Sequence, residues 1–219
     1  MLIDDIPGKY GELEPTPFLG QLKQVFPSFG SDPFENQAAL GFLLAREGIS
    51  NAITLGLSDQ VAFDQVSDQK IMTNLPIAFD WSHNNHEGAQ NSMWRRVLGT
   101  VSGLIRLLKS NFYLNDPKFG TMWERSFIYI ATEFGRSRER ATGSAHNLSN
   151  GSVIISPLIK GNRIYGGVSP STGLTFGFNP LTGQPDPSRK TSEAEVYSLI
   201  CQALGIDFDG RSDMSGILA

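Results

Sequence analysis

The stretch Ser126-Phe-Ile-Tyr-Ile-Ala-Thr132 decides the fold. Its apolar character is continuous rather than alternating, the pattern of a central strand covered on both faces. It ends at the carboxylate of Glu133. Upstream, residues 35–47 (Glu-Asn-Gln-Ala-Ala-Leu-Gly-Phe-Leu-Leu-Ala-Arg-Glu) combine strong helix formers with one apolar face, and Gly48 supplies a stop. Ala52-Ile-Thr-Leu-Gly-Leu57 then reads as a buried strand, which completes a helix-to-strand unit. Residues 90–110 form the longest helical stretch, with Met93, Val97, Leu104, Ile105 and Leu108 near one face. Downstream, short strands are expected at 153–156 and 164–165, followed by a stretch rich in Gly, Pro and Asn through Pro187. A closing helix over 191–204 is opened by Thr191 or Ser192 ahead of acidic residues. Helices alternating with apolar strands predict an α/β fold with a largely parallel sheet between helical layers. Ligands in such sheets gather outside the carboxyl ends of the strands, the place Glu133 takes.

Residues 1–34 are rich in Pro, Gly, Phe and charge, which predicts an irregular N-terminal arm ahead of an α/β domain over 35–219. The chain of 219 residues is 40% apolar, enough to bury a proper core. A net charge of −4 and a pI near 5.4 argue against a broad surface for nucleic acid or anionic lipid. No run reaches the length of a membrane span, and Met1-Leu-Ile-Asp-Asp-Ile-Pro7 has neither the basic nor the apolar region of a secretion signal. The compartment is left open by the residues themselves. The single cysteine, Cys201, lies in an apolar helical stretch and reads as core.

Chemistry concentrates in two polar loops, which together hold all three histidines. In Phe79-Asp-Trp-Ser-His-Asn-Asn-His-Glu87, Asp80 stands three residues before His83, and His83 three before His86. One helical turn or a tight loop can bring such side chains together. Carboxylate and imidazole suit zinc, manganese or iron. The same stretch also reads as a capping box, with Asn84 opening the long helix and Glu87 three residues on. The second loop is Thr132-Glu-Phe-Gly-Arg-Ser-Arg-Glu-Arg140, followed by Gly143-Ser-Ala-His-Asn147. Glu133 and His146 there suit a ligand pair or an acid/base pair. Arg136 can hold an anionic group through its fork of donors, or it belongs with Arg138 and Arg140 to a solvated face. Ser156-Pro-Leu-Ile-Lys160-Gly-Asn-Arg163-Ile-Tyr-Gly-Gly offers Lys160 and Arg163 as an anion-binding turn, although a hairpin-like connection fits its glycines better.

The order of these motifs resembles the bacterial sulfatase-like family known as "domain of unknown function 1501", within the alkaline phosphatase superfamily. The resemblance runs from Phe-Asp…His-Asn (79–84) through Thr-Glu-Phe-Gly-Arg-Ser (132–137) and the Gly…His loop (143–146). It continues over Ser-Pro-Leu-Ile-Lys-Gly-Asn-Arg-Ile-Tyr-Gly (156–166) to Leu204-Gly-Ile-Asp207, and covers roughly residues 40–208, the C-terminal half of a family member. It implies an alkaline-phosphatase-like α/β sandwich with divalent metal at the carboxyl edge of its sheet, hydrolysing phosphate or sulfate esters. His83, Glu133, Arg136 and His146 match family positions, and export to the periplasm is implied. The chain departs from the family pattern at three points: Trp81 falls where an acid is usual, Ala145 where an Asp is usual, and no segment before residue 40 matches the strand carrying the nucleophile. A second chain or a missing N-terminal segment would complete the site.

Two functions follow as expectations. The first is a metal-dependent hydrolase-fold protein for anionic esters. Its metal residues would be Asp80, His83, His86, Glu133 and His146, with Arg136 and Glu133 in the catalytic role. The second is a catalytically degenerate binding or assembly subunit that keeps the fold and a structural metal.

Overall fold

The computed structural model describes residues 17–57, 78–83, 86–132, 134–136, 145–147 and 149–219. The chain divides into two units, Met1–Met122 and Trp123–Ala219.

The N-terminal unit is helical among its described residues. Helix α1 (Pro17–Val25) places a proline at the first helical position, where its missing N–H costs nothing. Leu22, Val25 and the following Phe26 are buried, so this part of the expected irregular arm is a helix anchored by its apolar face. Helix α2 (Pro33–Arg46) starts two residues earlier than its apolar pattern suggests, because Asp32 caps it and accepts from the backbone N–H of Phe34 and of Glu35. It stops at Glu47, and Gly48 follows with φ +68°. Helix α3 (His86–Ser110) packs against both α1 and α2. Its buried seam runs through Ala89, Met93, Val97, Thr100, Val101, Leu107 and Leu108, while Leu104 and Ile105 are only half-buried.

Gly103 explains why the seam shifts at that point. A Cβ there would lie 2.6 Å from the carbonyl oxygen of Val25 and 2.9 Å from Cε1 of Phe26, so α1 ends directly on the α3 backbone. Gly103→Ala should gain about 1 kcal/mol of helix propensity and lose about 1–3 kcal/mol to overpacking against backbone that cannot give way. The expected outcome is a net loss of about 1 kcal/mol, read as a lower urea midpoint at unchanged slope.

Residues 52–57 form no strand. Ile53 and Leu55 instead approach Gly41 of α2, and the Gly56 N–H donates to Oε1 of Gln37 at 3.0 Å. The apolar residues of this stretch are therefore used against a helix, and Ile53 remains 39% exposed.

The C-terminal unit combines one helix with short antiparallel ribbons among its described residues. Strand β1 (Ile128–Ile130) sits inside the stretch that reads as a strand in sequence, and it pairs antiparallel with β4 (Val153–Ile155), Tyr129 opposite Ile154. Strands β2 (Gly135–Arg136) and β3 (His146–Asn147) pair likewise, as do β5 (Gly167–Val168) and β6 (Thr175–Phe176). The class is thus mixed α/β, and every sheet among the described residues is two-stranded and antiparallel. A parallel return from β1 needs a long crossover, usually a helix, and none separates β1 from β4 among the described residues. Tyr129 is 44% exposed, so β1 is covered on one face rather than two. No strand forms at 164–165, and β5 begins only at Gly167: Tyr165 turns inward to Phe178, ring centroids 5.4 Å apart, and donates its hydroxyl to the Lys160 carbonyl at 2.9 Å.

The core of this unit gathers Ile159, Phe178, Leu199, Met214 and Ile217, with Phe127, Ile154 and Leu218 against it. Helix α4 (Glu193–Ala203) contributes Leu199 and the buried Cys201. It opens on a capping box in which Ser192 and Glu195 satisfy each other's backbone N–H. The tail after α4 returns along residues 158–160, with Lys160 N–H donating to Ile217 O at 2.7 Å and Ala219 N–H to Leu158 O at 3.1 Å. Among the described residues no helix is long and apolar enough to cross a membrane.

Candidate functional site

The first polar loop folds as a 3-10 helix over Ala78–His83 that runs into α3. Ser82, next to its last residue, is fully buried, and its hydroxyl accepts from Nε2 of Gln90 at 3.0 Å. Oε1 of Gln90 in turn accepts from Nε1 of Trp94 at 2.9 Å, and the Trp94 ring meets Phe79 edge-on at 5.6 Å. This chain of contacts clamps the 3-10 helix onto the first turns of α3, which positions the histidines on either side of the junction. The histidines stand out in the sequence, whereas Gln90 and Trp94 do not. Their spacing of four on one helix face was the available signal.

Asp80 lies on the 3-10 helix and His83 ends it, exposed to solvent. Asn84 and Asn85 fall outside the described residues, and with them the expected capping box. His86 is the first residue of α3 and is half-buried. Its Nδ1 atom is buried with no hydrogen-bond partner among the described residues. An orphaned imidazole nitrogen of this kind costs about 1–3 kcal/mol unless something completes it. A divalent metal is one group that would, so His86 fits the metal implied by the resemblance.

The second polar loop lies in the other unit. Glu133, Arg138 and Arg140 fall outside the described residues. Their flanks are ordered by Thr132 and Asn150, which bind reciprocally: the Thr132 hydroxyl donates to Asn150 Oδ1 at 3.1 Å, and Asn150 Nδ2 donates to Thr132 O at 2.6 Å. Across the β2–β3 ribbon, Arg136 is the register partner of His146. Side chains directly opposed in an antiparallel pair share one face, so the two motif residues are neighbours there. Phe134 joins them, lying just before β2 and two residues from Arg136. The imidazole of His146 stacks on the Phe134 ring at 3.7 Å and 23°, and the Arg136 guanidinium carbon stands 5.1 Å from the centre of that ring. Arg136 is half-buried and His146 exposed.

Among the described residues no group of three or more His, Cys, Asp and Glu side chains is gathered as a metal would require. His83 and His86 belong to the N-terminal unit, and His146 to the C-terminal one. The third candidate, Lys160, is committed elsewhere: its backbone pairs with the tail and its ammonium donates to Gly216 O at 3.2 Å. Arg163 is exposed, and Asn162 and Gly166 take positive φ of 60° and 81°. That segment is a connection whose turns need backbone freedom. Comparison of the chain with family models, with curated proteins and with solved structures finds no match in any of the three.

Proposed function

We propose that this chain is a metal-dependent hydrolase-fold protein of the phosphatase and sulfatase kind, acting on phosphate or sulfate esters. The observation that carries the reading is the buried Nδ1 of His86, without a hydrogen-bond partner among the described residues, three residues after His83 in a loop clamped by Ser82, Gln90 and Trp94. Two donor sets are proposed for divalent metal, each taken by itself: Asp80, His83 and His86 in the N-terminal unit, and Glu133 and His146 in the C-terminal unit. Zinc, manganese or iron matches this donor set of imidazole and carboxylate. Bound there, a divalent ion supplies Lewis acidity toward an ester oxygen and lowers the pKa of water.

The protein's own contribution is positioning and charge. Arg136 is proposed to bind the anionic ester oxygens: its guanidinium is permanently charged and presents parallel donors that match phosphate or sulfate. Its pairing with His146 on one ribbon face supports that role. Glu133 is proposed to ligate metal or to orient a ligand. The finer fold belongs to the same proposal: an alkaline-phosphatase-like arrangement whose largely parallel sheet and nucleophile are completed by a second chain or a further segment.

Elemental analysis of the purified, chelator-free protein tests the reading. The expected result is about one or two equivalents of zinc, manganese or iron per chain, lost in His83→Ala and His86→Ala while the circular dichroism spectrum is kept. Metal content unchanged in both variants would remove these histidines from the proposal. No metal in the wild type would favour a binding or assembly subunit instead.

A further inference from the structure

Phe134 is an aromatic residue that the core does not use. It is half-buried and stands apart from the cluster of Ile159, Phe178, Leu199, Met214 and Ile217 that closes the C-terminal unit. Among the described residues its ring meets two side chains that carry chemistry, the imidazole of His146 at 3.7 Å and the guanidinium of Arg136 at 5.1 Å. Both nitrogens of an imidazole direct their lone pair or proton within the ring plane. A ring held nearly parallel to its neighbour, at 23°, has that plane fixed, leaving little of its χ2 freedom. A ligand group fixed before binding loses less rotamer entropy when it binds. The cation over the aromatic face is held by the ring quadrupole, so one side chain steadies both groups.

We infer that Phe134 is a positioning residue: its ring sets the imidazole plane of His146 and the place of the Arg136 guanidinium on one face of the β2–β3 ribbon. The inference rests on the proposed function in one respect, that His146 binds metal. Phe134 touches neither substrate nor metal in this role. It acts through its two neighbours.

Zinc titration of the full chain, followed by the imidazole-ring proton signals of His146, is the test, with Phe134→Leu and Phe134→Tyr as variants and His146→Gln for assignment. In the wild type these signals are expected upfield, shifted by the Phe134 ring current, and they should respond to zinc. Phe134→Leu should abolish the upfield shift and weaken the zinc response of His146 about tenfold, the size of effect seen when a residue supporting a metal ligand is removed. Phe134→Tyr, which keeps the ring, should restore both, a rescue that a loss of apolar volume would not produce. Amide signals of Gly135 and Asn147 report whether the ribbon survives in Phe134→Leu; Phe134→Met replaces it where they are lost. Zinc affinity at His146 unchanged within about twofold in the ringless variant overturns the inference and leaves the metal reading standing. Zinc that disturbs no histidine in the wild type overturns both, and is recognised because the ring-current difference between wild type and Phe134→Leu persists without any zinc response.

Discussion

Asp32→Ala is expected to destabilise the N-terminal unit by about 3 kcal/mol, from losing a helix cap and stranding a buried guanidinium. The carboxylate of Asp32 caps α2 through the amides of Phe34 and Glu35 and receives Nε of Arg96 at 2.9 Å and Nη2 at 2.5 Å. The side chains of the pair are 15% and 21% exposed, Arg96 and Asp32 respectively, so screening by water is limited. Removing the cap alone costs about 1 kcal/mol. The larger part comes from Arg96, whose Nη1 is already buried without a partner among the described residues and which would then lack its countercharge. Arg96→Met should therefore cost less than Asp32→Ala, since it removes the unsatisfied donor along with the charge. Urea unfolding followed by far-ultraviolet circular dichroism checks this order, because α1, α2 and α3 all belong to this unit.

The same pair sets an acid limb. Burial pushes the Asp32 carboxyl up, but the Arg96 hydrogen bonds, the cap amides and the Arg96 charge outweigh it and hold it below its ordinary 3.8. A depressed carboxyl pKa contributes stability that is fully present above the unfolded value and is lost as pH falls through the folded one. Wild type should therefore lose stability below about pH 4 more steeply than Asp32→Asn, which retains a good cap without the titrating charge. Glu35 works in the opposite sense: burial raises its carboxyl above 4.5, Asp32 adds to the rise, and the Ser28 amide only partly offsets them. Its contribution is fully present below the unfolded value and declines as pH rises through the folded one.

Gly135→Ala carries the second large effect, a loss of about 3 kcal/mol localised to the β2–β3 ribbon. A Cβ at this position would overlap the carbonyl oxygen of Ser149, and the carbonyl carbon lies 2.9 Å away. Both are backbone atoms, so no rotamer change relieves the clash. Ser149 is itself held, its N–H donating to Asn147 Oδ1 at 2.8 Å and its hydroxyl accepting from Thr175 N–H at 3.1 Å. The strands must separate, which takes Arg136 away from His146. Hydrogen exchange should show loss of protection at Gly135, Arg136 and Asn147 with α4 unaffected; protection retained across the ribbon would contradict the close approach.

The helices were legible where end signals agreed with periodicity. Ser192 with Glu195, and Gly48 after an apolar face, mark boundaries that the chain adopts. Helix α1 was missed although Pro17 and the spacing of Leu22 and Val25 announced it, because neighbouring prolines and glycines outweighed that pattern. Apolar runs told less. Residues 126–132 located β1 but not its antiparallel partner, and 52–57 set Ile53 and Leu55 beside α2 without forming a strand, since composition does not specify what will cover a segment. The pairing of Arg136 with His146 depends on a strand register that no local pattern fixes, whereas the shared face of Phe134 and Arg136 follows from their alternation.

The tail that supplies Met214 and Ile217 to the C-terminal core gives the two units different histories during synthesis. The buried residues of α1, α2 and α3 all lie before Met122, so the residues of that core emerge first in translation. Its successor has Phe127 near its beginning and Ile217 beside its last residues in the same cluster, with Lys160 tied to Ile217 across the gap. Closure there must wait for almost the whole segment to emerge, and in the interval Phe178 and Leu199 stand uncovered. A nascent chain in that state is the form in which chaperone demand and proteolytic loss should concentrate.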